Sequence, residues 1–473
     1  MHYFFKHAPW PVVLCSLIAP SLSAATVTEE LSNLTQNPYR HLLTRAEKLD
    51  YSSSNNGKRR PLIKDHDTAT TQVSSNDLAS LFHHLFSDGS YTVYLGSSYI
   101  NTGTIYWGYG ANIFAQTGRI HGFALGGQAQ FSNPFWANQI NNPNEPSYFS
   151  LPSTKANAVS QAYVQYLQPD TFEVAAGRII LDSPWVGSYL SSALNQYTYQ
   201  GAQAKYIINP TVTLTGFAFN RSKSFSSHHF NQATLYNQSI DPGTMVTTDQ
   251  KSHDTIALGL KTNNKKAPWS GNLWAYSFAN YADMLYGEVN FQHPINANRD
   301  FFIHTQGLVE TNPHRGTSTF KSETTGDVNS QMIGLETGFD QQNIHFSLAF
   351  SHIFKHENAY EQGGIVSPYT YVVASDPLYT TSWIAGMVEK SSGSAYKISS
   401  TFNWWDNQFS MTPSLAFYDT NTINNNGEYD LTFKLDPDVI QGFSLQVALA
   451  YLQDYKNSDN NSKEVQLMAS YAF

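Results

Sequence analysis

Lys205 follows Gln203 by two residues, and Lys397 precedes Ser399 and Thr401 at the same spacing. Lys434 follows Asp430 and Thr432, and Glu288 precedes Asn290. A period of two puts each set on one face of an extended strand. The residues between them, such as Ile398, Leu431, Phe433 and Val289, are apolar and take the other face. A charge held among neutral hydrogen-bonding groups can attract or repel ions along a water-filled wall. Covalent chemistry has less support, because no GxSxG, HExxH or Walker pattern occurs. His352 and His356 lie four residues apart but straddle the end of an expected strand, where that spacing need not converge on a metal. No metal and no cofactor is expected.

The elements that would carry these faces are strands. From Tyr91 to the end, alternating stretches recur near 91–100, 104–116, 119–131, 157–168, 171–180, 197–208, 211–220, 253–262 and 269–280. They continue near 282–292, 299–310, 328–340, 342–352, 394–405, 408–418, 428–436, 441–453 and 463–473. Each has about the length that a tilted membrane strand requires. Along nearly the whole chain their connectors alternate between short turns such as "QPD", "NP" and "DQQ" and long polar segments such as 132–156, 221–252 and 353–393, two upper connections, "NTG" near 101–103 and the one near 281, being short as well. Short turns at one end and long loops at the other are the pattern of an outer-membrane barrel. The segment Thr380–Lys390 could add a nineteenth strand, but it would break the alternation and leave an odd number, so it is read as loop. The fold class expected is all-β: an antiparallel transmembrane barrel of eighteen strands over 87–473.

Composition agrees. The 473 residues include 29 Tyr, 29 Phe and 9 Trp with only 13% charged residues, yet mean hydropathy is negative. A polar lumen, an apolar exterior and aromatic girdles reconcile these values. Residues 1–25, with Lys6, an apolar run at Val12–Ala19 and the small residues Ser23 and Ala25, read as a signal peptide. The only cysteine, Cys15, lies inside it. Residues 26–86 read as a polar periplasmic extension, ending in the short amphipathic stretch Asp77–Phe86. The formal charge of −9 makes nucleic acid an improbable partner. The last strand alternates Val465, Leu467, Ala469, Tyr471 and Phe473 against polar and small residues, with Phe473 expected on the lipid face.

Several stretches resemble the OprD-type porins of bacterial outer membranes. "LFSDGSYTVYLGSSYINTG" (85–103) is similar to that family's first strand, and "GRIHGFALGGQAQFSNPF" (118–135) to its third. "AYVQYLQPDTFEVAAGRIILDSPWV" (162–186), continuing through "SALNQYTYQGAQAKY" (192–206), resembles its hairpin, Gly-Arg pair and Asp-x-Pro entry into a constriction loop. "SGSAYKISSTFNWW" (392–405) resembles a late strand. The resemblance implies an eighteen-stranded channel narrowed by an inward-folded third extracellular loop. On the strand count that loop is 181–196, whose Asp182, Ser183, Trp185, Ser188, Tyr189 and Asn195 combine hydrogen-bonding groups with flat aromatic surfaces. The family uses a row of basic side chains to guide carboxylates. Arg178, Lys205, Lys397 and Lys434 are the positions offered for that role, with Glu288 also lining the pore. Arg178 shares parity with Phe172 and Val174, so the outer rim is its other reading.

The function expected is a porin for small hydrophilic solutes, selective for amino acids, peptides or other small carboxylates. The alternatives are a surface adhesin working through 221–252 and 353–393, or a barrel-type hydrolase. The expected partners are solutes, outer-membrane lipid, lipopolysaccharide and the barrel assembly machinery, for a monomer or trimer.

Overall fold

A computed structural model describes residues 85–473 apart from 87, 102–104, 136–154, 189–193, 226, 238–249, 264–266, 297, 321–325, 371–375, 389–390, 422–425, 459–460 and 473. The signal peptide, nearly all of the 26–86 extension, Tyr189 and Phe473 therefore lie outside the described residues. Eighteen strands follow in chain order. The first six are β1 (Ser90–Asn101), β2 (Ile105–Gln116), β3 (Phe123–Pro134), β4 (Ala156–Gln168), β5 (Phe172–Ile179) and β6 (Thr198–Asn209). Next come β7 (Val212–Lys223), β8 (Thr255–Asn263), β9 (Trp269–Phe278), β10 (Ala282–Asn296), β11 (Arg299–Thr311) and β12 (Asn329–Gln341). The last are β13 (Ile344–Ile353), β14 (Gly393–Trp404), β15 (Phe409–Thr420), β16 (Asn426–Leu435), β17 (Phe443–Asp454) and β18 (Ser462–Ala472).

Each strand pairs antiparallel with its sequence neighbours, and β18 pairs back onto β1 from Tyr94↔Ala472 to Asn101↔Val465. That last pairing closes the ring and removes both free edges, whose unpaired backbone groups hydrocarbon could not satisfy. The alternation decides which face goes where. Along β12, Ile333 and Leu335 are 49% and 42% exposed on the outside, while Ser330, Met332 and Glu336 are buried inside. On β18, Val465 and Leu467 face outward and Glu464 and Gln466 inward. No helix among the described residues is long and apolar enough to cross a membrane. The described part of 380–390 forms turns and adds no strand, and the connections alternate between short and long except at β1–β2 and β9–β10, where the upper connection is also short.

The core lies inside the ring, on the side of the long loops. Tyr197, Tyr199, Phe219 and Phe278 pack around Tyr369, which the β13–β14 loop carries in. A barrel this wide leaves a lumen that wall side chains alone do not fill, so its loops do.

Candidate pore constriction

β5 is 8 residues long, against 13 for β4 and 12 for β6. The chain leaves the wall early there. Just before it does, Gly177 sits at φ +132°, and a Cβ on it would lie 2.3 Å from the Ala162 carbonyl oxygen. Only glycine fits that approach.

The described residues on either side of 189–193, 180–188 and 194–197, then lie in the interior. Near the start of the crossing, the Trp185 ring lies edge-on to Tyr286 of β10 at 5.7 Å, and the Trp185 backbone N–H donates to Tyr276 Oη of β9 at 3.4 Å. Near its end, Leu194 packs with Ile100 of β1 and Met468 of β18, and its carbonyl accepts from Asn112 Nδ2 of β2 at 3.0 Å. β10 stands halfway round the ring of eighteen from β1. The loop is thus anchored on opposite walls.

The six expected loop residues divide by role. Ser183 turns the loop through Val186, its Oγ donating to the carbonyl at 2.9 Å and accepting from the N–H at 3.1 Å. Ser188 Oγ accepts from the Leu181 N–H at 2.9 Å. Asn195 Nδ2 donates to Ser132 Oγ at 2.8 Å and to the Phe225 carbonyl at 3.0 Å. Trp185 is fully buried, so it anchors rather than offering a flat face to water. Asp182 is exposed, and Tyr189 lies outside the described residues.

The described part of a second loop, 354–392, also folds inward, whereas the sequence reads as a long polar connection there. Trp383 Nε1 donates to Thr432 Oγ1 of β16 at 3.0 Å. The Ile384 and Ala385 N–H groups donate to the two oxygens of Glu428 at 2.6 Å each. Tyr418 Oη donates to the Thr380 and Ala385 carbonyls at 2.8 and 2.9 Å. Thr370 Oγ1 donates to the Trp185 carbonyl at 2.6 Å, which ties the two loops together. The signal was present in "TTSWIAGMVEK": Trp383, Met387 and Val388 are buried because the loop packs inside the lumen.

The expected lining charges are mostly where their parity put them. Lys397 faces inward and donates to the Thr381 carbonyl at 2.6 Å, among Asp430, Glu428, Glu336 and Asp376. Lys205 lies 3.5 Å from Glu173, opposite it in register, and Lys434 lies 2.9 Å from Asp436. Glu288 faces inward, accepts from Asn272 Nδ2 at 2.7 Å and is bonded by the Tyr286 hydroxyl. Sequence reading missed His304 Nδ1, 3.1 Å from Glu336, and His345 Nδ1, 2.6 Å from Asp340. Arg178 departs from the expectation and takes the outer face. Its Nη1 donates to the Val159 carbonyl at 3.2 Å, and its guanidinium covers the Phe230 ring at 4.7 Å. The cause is parity: Ala162, its partner on β4, also faces out. The described lumen therefore holds a base beside each of several acids, with acids in excess.

Solved structures share this architecture. Pseudomonas aeruginosa OpdK with vanillate aligns at TM-score 0.65 and 11% identity, covering 82% of this chain and 99% of that one. Acinetobacter baumannii OccAB3 aligns at TM-score 0.66 and 13% identity, over 82% and 99%. P. aeruginosa OccK2 (OpdF) in complex with glucuronate aligns at TM-score 0.64 and 11% identity, over 82% and 96%. This chain has the OprD-type porin fold. No family model and no curated relative matches the chain. At these identities the likeness is one of fold.

Proposed function

We propose that this chain is a porin of the bacterial outer membrane, passing small hydrophilic solutes through a lumen narrowed by residues 180–197 and 354–392. One observation carries the reading: the first of these loops is strung between Tyr286 on one wall and Ile100 and Met468 on the opposite one. An adhesin working through its outer loops has no use for a loop anchored on opposite interior walls.

The solute class that fits the lining carries both signs of charge, as amino acids and short peptides do. Lys397 can meet a carboxylate, and Glu288 and Glu336 an ammonium, at separate places on one wall. The solved structures holding vanillate and glucuronate are consistent with a carboxylate on the solute. The excess of acids should give the open channel a preference for cations.

Reversal potentials in a salt gradient test this. The wild type should favour potassium over chloride. Glu288→Gln with Glu336→Gln should move the reversal potential toward chloride, and Lys205→Gln with Lys434→Gln should move it further toward potassium. If neither pair moves it, ions do not pass along this wall and the lining assignment is overturned.

A further inference from the structure

We propose that the outward face of β4–β7, at the end carrying the long loops, binds the phosphates of a lipopolysaccharide molecule. The inference rests on the outer-membrane reading above, because only there does that lipid cover this end of the barrel.

Outward positions on these strands are mostly apolar, with Val159 and Val164 about half exposed and Ala176, Ala202 and Ala218 exposed beside them. Into this wall the chain sets two arginines. Arg178, Gln200 and Arg221 form one register row across β5, β6 and β7, all facing out. Two strand spacings put the Cα atoms of the arginines about 10 Å apart. Lys155, just before β4, and His229, in the β7–β8 loop, are exposed at the same end. No carboxylate occupies an outward position of β4–β7 among the described residues.

Depth selects the partner. Arg221 lies nine residues beyond Val212 on β7. At about 3.3 Å per residue on a strand tilted by about 40°, it stands about 23 Å above the turn end, where an apolar band about 25 Å tall ends. A guanidinium facing hydrocarbon is costly, and one at the band's upper edge meets headgroups. The two arginines differ in availability. Arg178 is committed to the Val159 carbonyl, on the β4 edge that β5 leaves open where it turns inward, and Phe230 covers it. The Arg221 side chain is exposed and makes no hydrogen bond or ion pair among the described residues. Its planar fork suits a phosphate bidentately. Gln200 beside it offers a neutral donor. A headgroup bearing two phosphates on a rigid sugar pair can engage Arg221 and Lys155 together, while its acyl chains lie on Val159 and Ala218.

The test uses full-length protein in detergent, with binding followed by native mass spectrometry. The probes are bisphosphorylated lipid A, its dephosphorylated form, phosphatidylglycerol and inorganic phosphate. The wild type should retain bisphosphorylated lipid A, and Arg221→Gln with Lys155→Gln should weaken it about tenfold or more. The other three probes should bind weakly and without regard to the substitutions. Equal affinity in wild type and variant, or equal binding of the dephosphorylated lipid, overturns the proposal. So does phosphatidylglycerol bound as tightly and lost with the same variant. Unchanged heat-modifiable migration shows that the variant barrel is folded. Its conductance is expected to stay at the wild-type value. Lipid binding without any channel current would instead overturn the proposed function and leave this site standing.

Discussion

Replacing residues 182–194 with a short Gly-Ser turn raises single-channel conductance several-fold and flattens discrimination among solutes of different size. The expectation follows from where the loop is held. Its two anchors are Trp185 against Tyr286 and Leu194 against Ile100 and Met468, on opposite walls of the passage. Removing it leaves a wider lumen and strips the wall of a low-dielectric partner. Fixed wall charges then act through more water, where a pair at 4 Å is worth about 1 kcal/mol rather than about 4. Charge selectivity falls along with size selectivity. A gentler edit separates blockage from misfolding. Trp185→Ala releases one anchor at a cost of about 3–5 kcal/mol of packing and leaves the loop in place. That variant should show larger, noisier openings in planar bilayers. Wild-type conductance in both would mean that the other inward loop alone sets the bore.

Glu428→Ala produces the second large effect, on the 354–392 loop. Both carboxylate oxygens accept backbone N–H groups of that loop, and the side chain is fully buried. Hydrogen bonds to a charged group contribute about 1.5–3 kcal/mol each, so the pair holds the Ile384–Ala385 turn by roughly 3–6 kcal/mol. Its loss should unseat Trp383 from Thr432 and free Lys397 from the Thr381 carbonyl. The expected readouts are rapid flicker between conductance levels and cleavage of the loop by protease added from outside, where the wild type resists. Glu428→Gln keeps one acceptor in place and should lie between the two. A quiet, protease-resistant Glu428→Ala channel would show that the loop is held by its other contacts.

The wall of this protein is readable because a strand has only two faces. Ile333 and Glu336 on β12, or Val465 and Glu464 on β18, declare inside and outside by parity, and eighteen such stretches with alternating connector lengths imply a ring. Parity also carried the warning about Arg178, which shares its face with Val174 and lies outside. The destinations of the loops were much less legible. Trp185 and Asn195 look like residues that meet a solute, yet they are buried anchors. Their partners Tyr286 and Ser132 are far away in sequence, and no local spacing announces them. The 380–388 segment shows the same limit from the other direction. Its apolar residues mimic a strand because a segment packed within a lumen is buried as a strand is. The lumen charges were found singly, whereas their pairing, Lys205 with Glu173 or His304 with Glu336, depends on register across strands.

The central claim is that this ring encloses an open passage narrowed by the loop strung across it. Single-channel recording of the purified, folded protein in planar bilayers addresses it most directly. The account predicts discrete current steps that persist at steady voltage and grow when residues 182–194 are replaced by the Gly-Ser turn. A folded, inserted barrel that carries no current, with or without the loop, would contradict it.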